Sequence, residues 1–184
     1  MEKLFENILD KDEKIEKVFK PQKTKYFLSS MLRWSLVILS FALMGVLMIV
    51  FPDEGMNVEL IYLLIPIGFF VFGMLIVLLF ASIYYKNLYY AYTNKRIIIR
   101  SGIFGVDFKS LDMSMIGAVN VYVSLIDKIV CKNTGSITFG SMASPIGGQN
   151  AGIGYSFCHI AAPYESCREM KSFIDEYKKQ VNSK

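Results

Sequence analysis

A chain of 184 residues with 53% hydrophobic side chains and a formal charge of only +4 leaves room for one small domain plus membrane spans. The small net charge argues against a nucleic-acid partner. Three irregularly spaced cysteines (Cys131, Cys158, Cys167) argue against a disulfide framework, and a single histidine, His159, excludes a multi-histidine metal site.

In chain order, residues 1–25 mix charges with apolar Leu4, Phe5, Ile8, Leu9, Ile15, Val18 and Phe19. A short amphipathic helix near 3–9 and an extended piece before Pro21 are expected. Two readings stay open for this segment: a solvated tail, or a piece that docks on the C-terminal domain.

Residues 34–51 and 60–85 contain no charged side chain. Runs of eighteen or more uncharged, mostly apolar residues read as membrane helices. The first span is placed at about 26–51. Its apolar centre rises roughly 27 Å, close to the ~30 Å of a hydrocarbon core. Arg33 and Trp34 suit the inner interface, and Pro52 ends the helix. The second span is placed at about 60–83. Pro66, Gly68 and Gly73 are tolerable there, and the two glycines are candidates for close helix approach. Tyr84, Tyr85, Tyr89 and Tyr90 are candidates for the interfacial belt.

Lysine and arginine set the orientation. The N-terminal flank carries Lys3, Lys11, Lys14, Lys17, Lys20, Lys23, Lys25 and Arg33, and Lys86, Lys95, Arg96 and Arg100 follow the second run. The connecting loop 52–59 carries only acidic charges. Both ends are therefore expected in the cytoplasm. A cleaved signal peptide is disfavoured by the long charged segment ahead of the first apolar run. A soluble helical hairpin is disfavoured by the lack of a polar stripe.

After Lys86 the pattern changes to short strands: 88–93, a turn at Asn94-Lys95, 96–101, 106–111, 118–123, 136–140 and 155–160. Pro163 then opens an amphipathic helix with Cys167, Met170, Ile174 and Tyr177 on one face. The expected fold class is an α+β membrane protein: segment 1–25, hairpin 26–85, and a cytoplasmic domain 86–184 of antiparallel strands closed by one helix.

The stretch Tyr92-Thr93-Asn94-Lys95-Arg96-Ile97-Ile98-Ile99-Arg100-Ser101-Gly102-Ile103-Phe104 resembles the bacterial pleckstrin-homology (PH) domain family, in its membrane-flanked branch. Further similarity comes from Asp12-Glu13-Lys14 and Pro21, from Ile116, Val119, Val121 and Leu125, and from Asp127-Lys128-Ile129, Gly135-Ser136-Ile137 and the Pro163 helix. Val123-Ser124, Cys131-Lys132-Asn133 and the long loop 141–154 depart from the family pattern. The resemblance implies a PH-like barrel of about seven strands capped by the C-terminal helix. It implies little about function, because the fold hosts lipid, peptide and protein binding alike.

The glycines of loop 141–154 lack the spacing and the Lys-Ser/Thr of a phosphate loop, so a hairpin loop is expected. Lys95, Arg96, Arg100, Lys109, Lys128 and Lys132 are either a solvated edge or contacts for anionic headgroups. Lys95 and Arg100 are the first choices for lipid, and Arg96 is a candidate for a structural pair with Asp107 or Asp112. Cys158 and His159 are neighbours on a strand and point to opposite faces, a poor nucleophile–base couple. No cofactor, metal or catalytic residue is expected. The leading expectation is a membrane-anchored binding or scaffolding module acting on a protein partner or on itself, and the alternative is a sensor of anionic lipid or a small ligand.

Overall fold

The computed structural model describes residues 4–51, 62, 64–129, 133–141 and 154–182. The expected connecting loop 52–59, the start of the second apolar run, Cys131, Lys132 and nearly all of loop 141–154 lie outside them. The chain forms two compact units: Met1–Lys25 with Tyr84–Lys184, and Tyr26–Ile83.

The second unit holds most of two helices, α1 (Lys23–Val50) and α2 (Leu64–Asn87), both long and apolar enough to cross a membrane. Three of the hydroxyls inside them return to their own helix: Ser35 donates to the Leu32 carbonyl, Ser40 to Val37 and Ser82 to Leu78. Such bonds let a polar side chain sit on an apolar helix without an unsatisfied donor. Gly73 is one point of close approach, since a Cβ there would lie 3.2 Å from Ile38 Cδ1. Gly68 has no atom within that reach and plays no such part.

The first unit is built from seven strands and two further helices. β1 (Ile15–Phe19), β2 (Tyr89–Thr93), β3 (Arg96–Ser101) and β4 (Asp107–Asp112) form one antiparallel sheet in that order. After a 3-10 turn at Met113–Met115 come β5 (Ile116–Tyr122), the short α3 (Leu125–Ile129), β6 (Thr134–Ser141) and β7 (Tyr155–Ala161), which form a second sheet. α4 (Pro163–Asn182) packs on β5, β6 and the 3-10 turn, burying Met170 and Ile174.

The two sheets are not closed into the barrel that the sequence led us to expect. The chain turns its corner through Met113–Met115, and among the described residues no ladder joins β1 to β7. A backbone bond from Gln22 N to His159 O, at 2.7 Å, bridges that seam, and aromatic rings fill the space between the sheets. Tyr90 stacks on Phe157 at 4.9 Å, Phe139 meets Phe157 edge-on at 5.0 Å, and Phe19 and Phe173 flank Tyr92. Tyr90 is thus a core residue and not part of an interfacial belt.

Segment 15–19 pairs with β2 across the intervening helices, Val18 opposite Ala91 and Phe19 opposite Tyr90. Residues further upstream cover the outer face of the same sheet. Phe5 is fully buried against Ala91 and Ile98, with Leu4, Ile8, Leu9, Val18 and Phe108 around it. This second core explains the run Ile97-Ile98-Ile99: a strand covered on both faces needs apolar side chains at consecutive positions. The short helix expected at 3–9 is a 3-10 turn at Glu6–Ile8.

Candidate functional site

Antiparallel order gives the first sheet two distinct ends. The β1 exit, the β2 entry and the β3–β4 turn share one end, and the β2–β3 turn lies at the other. The first end is where the chain leaves for α1 and returns from α2. Three polar contacts there fasten the helix roots to the domain.

The first is Lys25, in the opening turn of α1. Its ammonium lies 2.8 Å from Asp127 of α3 and donates to Ser124 Oγ at 2.9 Å. Both charged side chains are almost fully buried, at 3% and 5% exposure. Burial alone raises the Asp127 carboxyl. Hydrogen bonds from Lys25, Ser124 and Thr134 outweigh that and hold it down at about 2. The second is Tyr85 OH, which donates to the Pro21 carbonyl at 2.8 Å and so ties one root to the other. The third is Asn87, the last residue of α2, whose Nδ2 donates to the Gly102 carbonyl at 3.2 Å.

Gly102 opens the β3–β4 turn with φ +144°, where a Cβ would fall 2.0 Å from the Gly105 carbonyl oxygen. Only glycine fits this backbone. The turn then presents Ile103, Phe104 and Val106, with Phe104 92% exposed. On α3, Leu125 and Ile129 stand one turn apart, each 74% exposed. Tyr122, at the end of β5, and Tyr164, at the start of α4, are exposed as well. Among the described residues of this unit, Met115 is the one large apolar side chain exposed away from this end.

The basic residues singled out in the sequence divide between the two ends. Arg100 is at the helix-root end, its guanidinium 5.7 Å above the Tyr89 ring and Nη1 3.5 Å from the Asn87 carbonyl. Its Nε is buried and has no hydrogen-bond partner among the described residues. Lys128 is exposed on α3. Lys20, not among the candidates, lies over the rings of Tyr85 and Tyr89 and donates to Tyr89 OH at 3.0 Å. Lys95 and Arg96 sit at the opposite end, and Lys109 is exposed along the outer strand β4. Among the described residues the set is thus divided between the two ends and the outer strand, and Lys132 lies outside them. Of the interface candidates in the helices, Arg33 and Trp34 are exposed on α1, and Tyr84 and Tyr85 are half-buried in the last turns of α2.

Arg96 is committed elsewhere. It grips Glu13 with two bonds, Nε to Oε1 at 2.9 Å and Nη2 to Oε2 at 2.8 Å, and also reaches the Ile8 carbonyl at 2.7 Å. Its ion-pair partner is therefore Glu13 and not Asp107 or Asp112, although Asp112 stands opposite it in the ladder. Burial pushes the Glu13 carboxyl up, but the bonds from Arg96 and Thr93 win and lower it below its ordinary value. Glu13 lies in the Asp12-Glu13-Lys14 motif, which was the available signal. Asp127 lies in the Asp127-Lys128-Ile129 motif, but nothing in the sequence pointed to its pairing with Lys25, 102 positions away.

His159 sits in a β-bulge with φ 59°, opposite the register shift between Gly135 and Ile137. The Cys158 thiol lies 3.4 Å from Ser156 Oγ. Burial pushes the Cys167 thiol up, away from the thiolate a nucleophile needs. Among the described residues no group of three or more His, Cys, Asp or Glu side chains converges on a point that could hold a metal.

The family model "Bacterial PH domain" aligns with residues 32–180. The chain belongs to the bacterial PH domain family. Neither a curated protein nor a solved structure matched it. The family match spans α2 and the later strands and helix. β1 and the cover made by residues 4–9 precede it, so the first strand of this PH domain lies upstream of the aligned region.

Proposed function

We propose that this bacterial PH protein is a non-catalytic binding or scaffolding module, anchored by α1 and α2 as a membrane hairpin, with its PH domain on the cytoplasmic face. The observation that carries this is the β1–β2 ladder. Residues 15–19 and 89–93 are hydrogen-bonded neighbours, so both flanks of the helical pair must be on one side of any membrane the helices cross. That requirement selects an even number of crossings. The lysine-rich flanks and the acidic loop 52–59 support the cytoplasm as the shared side.

The same pairing makes residues on both sides of the helical pair parts of one sheet. Only Leu88 stands between α2 and β2. The exposed edge strand β4, with Asp107, Lys109 and Asp112, is blunted against indiscriminate strand pairing by its charges.

A second reading, recognition of anionic headgroups, is favoured by Arg100. It is the arginine of the original set that lies at the helix roots, and its Nε has no acceptor in the described structure.

Compartment-specific labelling tests the proposal. In intact cells, a membrane-impermeant maleimide should label a cysteine introduced as Asn57→Cys and leave Lys95→Cys, Cys158 and Cys167 unlabelled until lysis. Labelling of Lys95→Cys in intact cells, or recovery of the protein in the soluble fraction without detergent, would remove the proposal.

A further inference from the structure

We infer that the helix-root end of the domain is itself a membrane contact: the β3–β4 turn places Phe104, with Ile103 and Val106, in the headgroup–acyl boundary, and the exposed α3 face of Leu125 and Ile129 at the same end joins it there. The inference rests on the membrane reading above and adds a lipid-facing surface to it.

Turn positions ordinarily take small or polar residues, and the β2–β3 turn obeys this with Asn94 and Lys95. The β3–β4 turn does not. Between its two glycines it carries Ile103 and Phe104, and the Gly102 backbone allows no other residue at its base. The turn is also pinned from the helix side by Asn87. A Phe ring 92% exposed on a rigid turn leaves apolar surface in water that a bilayer would cover.

Placement identifies the partner. Asn87 is where the chain comes out of α2, so the turn lies one hydrogen bond from the point at which an apolar helix becomes a strand. With α2 in a bilayer, that point is the interface, where aromatic rings are preferred. α3 reaches the corresponding point of α1 through Asp127 and Lys25. The exposed apolar side chains of the two elements thus gather where the chain enters and leaves lipid. Lys23, Lys86 and Lys128 are exposed at the same end, which complements an anionic leaflet. The β2–β3 end exposes Met115 alone among the described large apolar side chains of this unit.

The test uses the full chain reconstituted into phosphatidylcholine–phosphatidylglycerol vesicles whose acyl chains carry bromine, a short-range fluorescence quencher. Trp34 is the only tryptophan, so the native protein reports on α1 alone. The variant W34F/F104W reports on the turn and W34F/K95W on the distal end. Should F104W fold poorly, W34F/I103W carries the same readout. The expected result is quenching of Trp34 and of the turn tryptophan by bromines near the headgroups, with the tryptophan at position 95 unaffected. A quenched Trp34 with an unquenched turn would overturn this inference and leave the membrane anchor standing. Equal quenching at position 95 would overturn it as well, by removing the end-specificity. An unquenched Trp34 would sink the anchor itself, and the inference with it.

Discussion

Lys25 and Asp127 form a buried ion pair, 2.8 Å apart, between the first turn of the first apolar helix and the short helix that follows the fifth strand. Each partner alone would be a stranded charge. Together with Ser124 and Thr134 they make a closed polar cluster that joins the helix root to the second sheet.

Breaking that pair one side at a time should be worse than removing it whole. Lys25→Met or Asp127→Leu is expected to cost about 3–5 kcal/mol, because a buried charge is left uncompensated. The double variant should cost clearly less than the sum. Denaturant unfolding of the detergent-solubilised protein, read as a double-mutant cycle, measures the coupling.

Acid should loosen the domain through the same residue. The Asp127 carboxyl is held at about 2 in the fold against an ordinary 3.8, so the folded state favours its ionised form. The resulting stability is complete above about pH 4 and is lost as pH falls toward 2. A shift of this size corresponds to roughly 2 kcal/mol. Glu13, also lowered, adds a loss in the same direction. Comparing the unfolding midpoints of wild type and Asp127→Asn between pH 6 and pH 2 should show a gap that closes on acidification.

The segment ahead of the first helix is structural, and single changes in it should register across the domain. Phe5→Ala is expected to cost about 3–5 kcal/mol, as for other buried Phe truncations. Glu13→Gln should weaken the grip of Arg96 and speed amide exchange in both 4–19 and 96–101. Exchange confined to the first segment would mean that the outer cover is dispensable. A fragment beginning at residue 86 lacks β1 and this cover, so binding measured on it would not represent the domain.

The two glycines of the β3–β4 turn make a matched pair. Gly102→Ala should be destabilising by about 1–3 kcal/mol, since its φ of +144° and the 2.0 Å approach to the Gly105 carbonyl admit no side chain. Gly105→Ala meets nothing within 4 Å and should be close to neutral. Thermal melts of the two variants are enough to compare them.

Much of the fold could be read from local pattern. The uncharged runs located both apolar helices, and β3 and the start of α4 fell where the isoleucine run before Gly102 and Pro163 put them. The run of three isoleucines marked a strand but did not say what covers its second face, because the covering residue, Phe5, lies more than ninety positions upstream. For the same reason the segment before the helices could be read equally as tail or as docking piece: a strand completed across an inserted hairpin leaves no local signature. Basic residues were legible as residue types but not as a surface. Lys95 and Arg100 are close in sequence, yet one strand length puts them at opposite ends of a sheet. The apolar turn at Ile103-Phe104 was visible only as part of a family motif. Its exposure follows from the Gly102 backbone, which spacing does not reveal.

Cross-linking β1 to β2 in the native membrane probes the central arrangement most directly. In a background with the three native cysteines replaced by serine and a protease site placed in loop 52–59, Val18→Cys and Ala91→Cys should oxidise readily. They are ladder partners, within the 4.4–6.8 Å Cα separation a disulfide needs. After proteolysis the two halves should migrate as one species on a non-reducing gel and separate on reduction. Halves that separate without reductant, in protein shown by labelling to carry both cysteines, would mean that residues 15–19 are not the first strand of the domain.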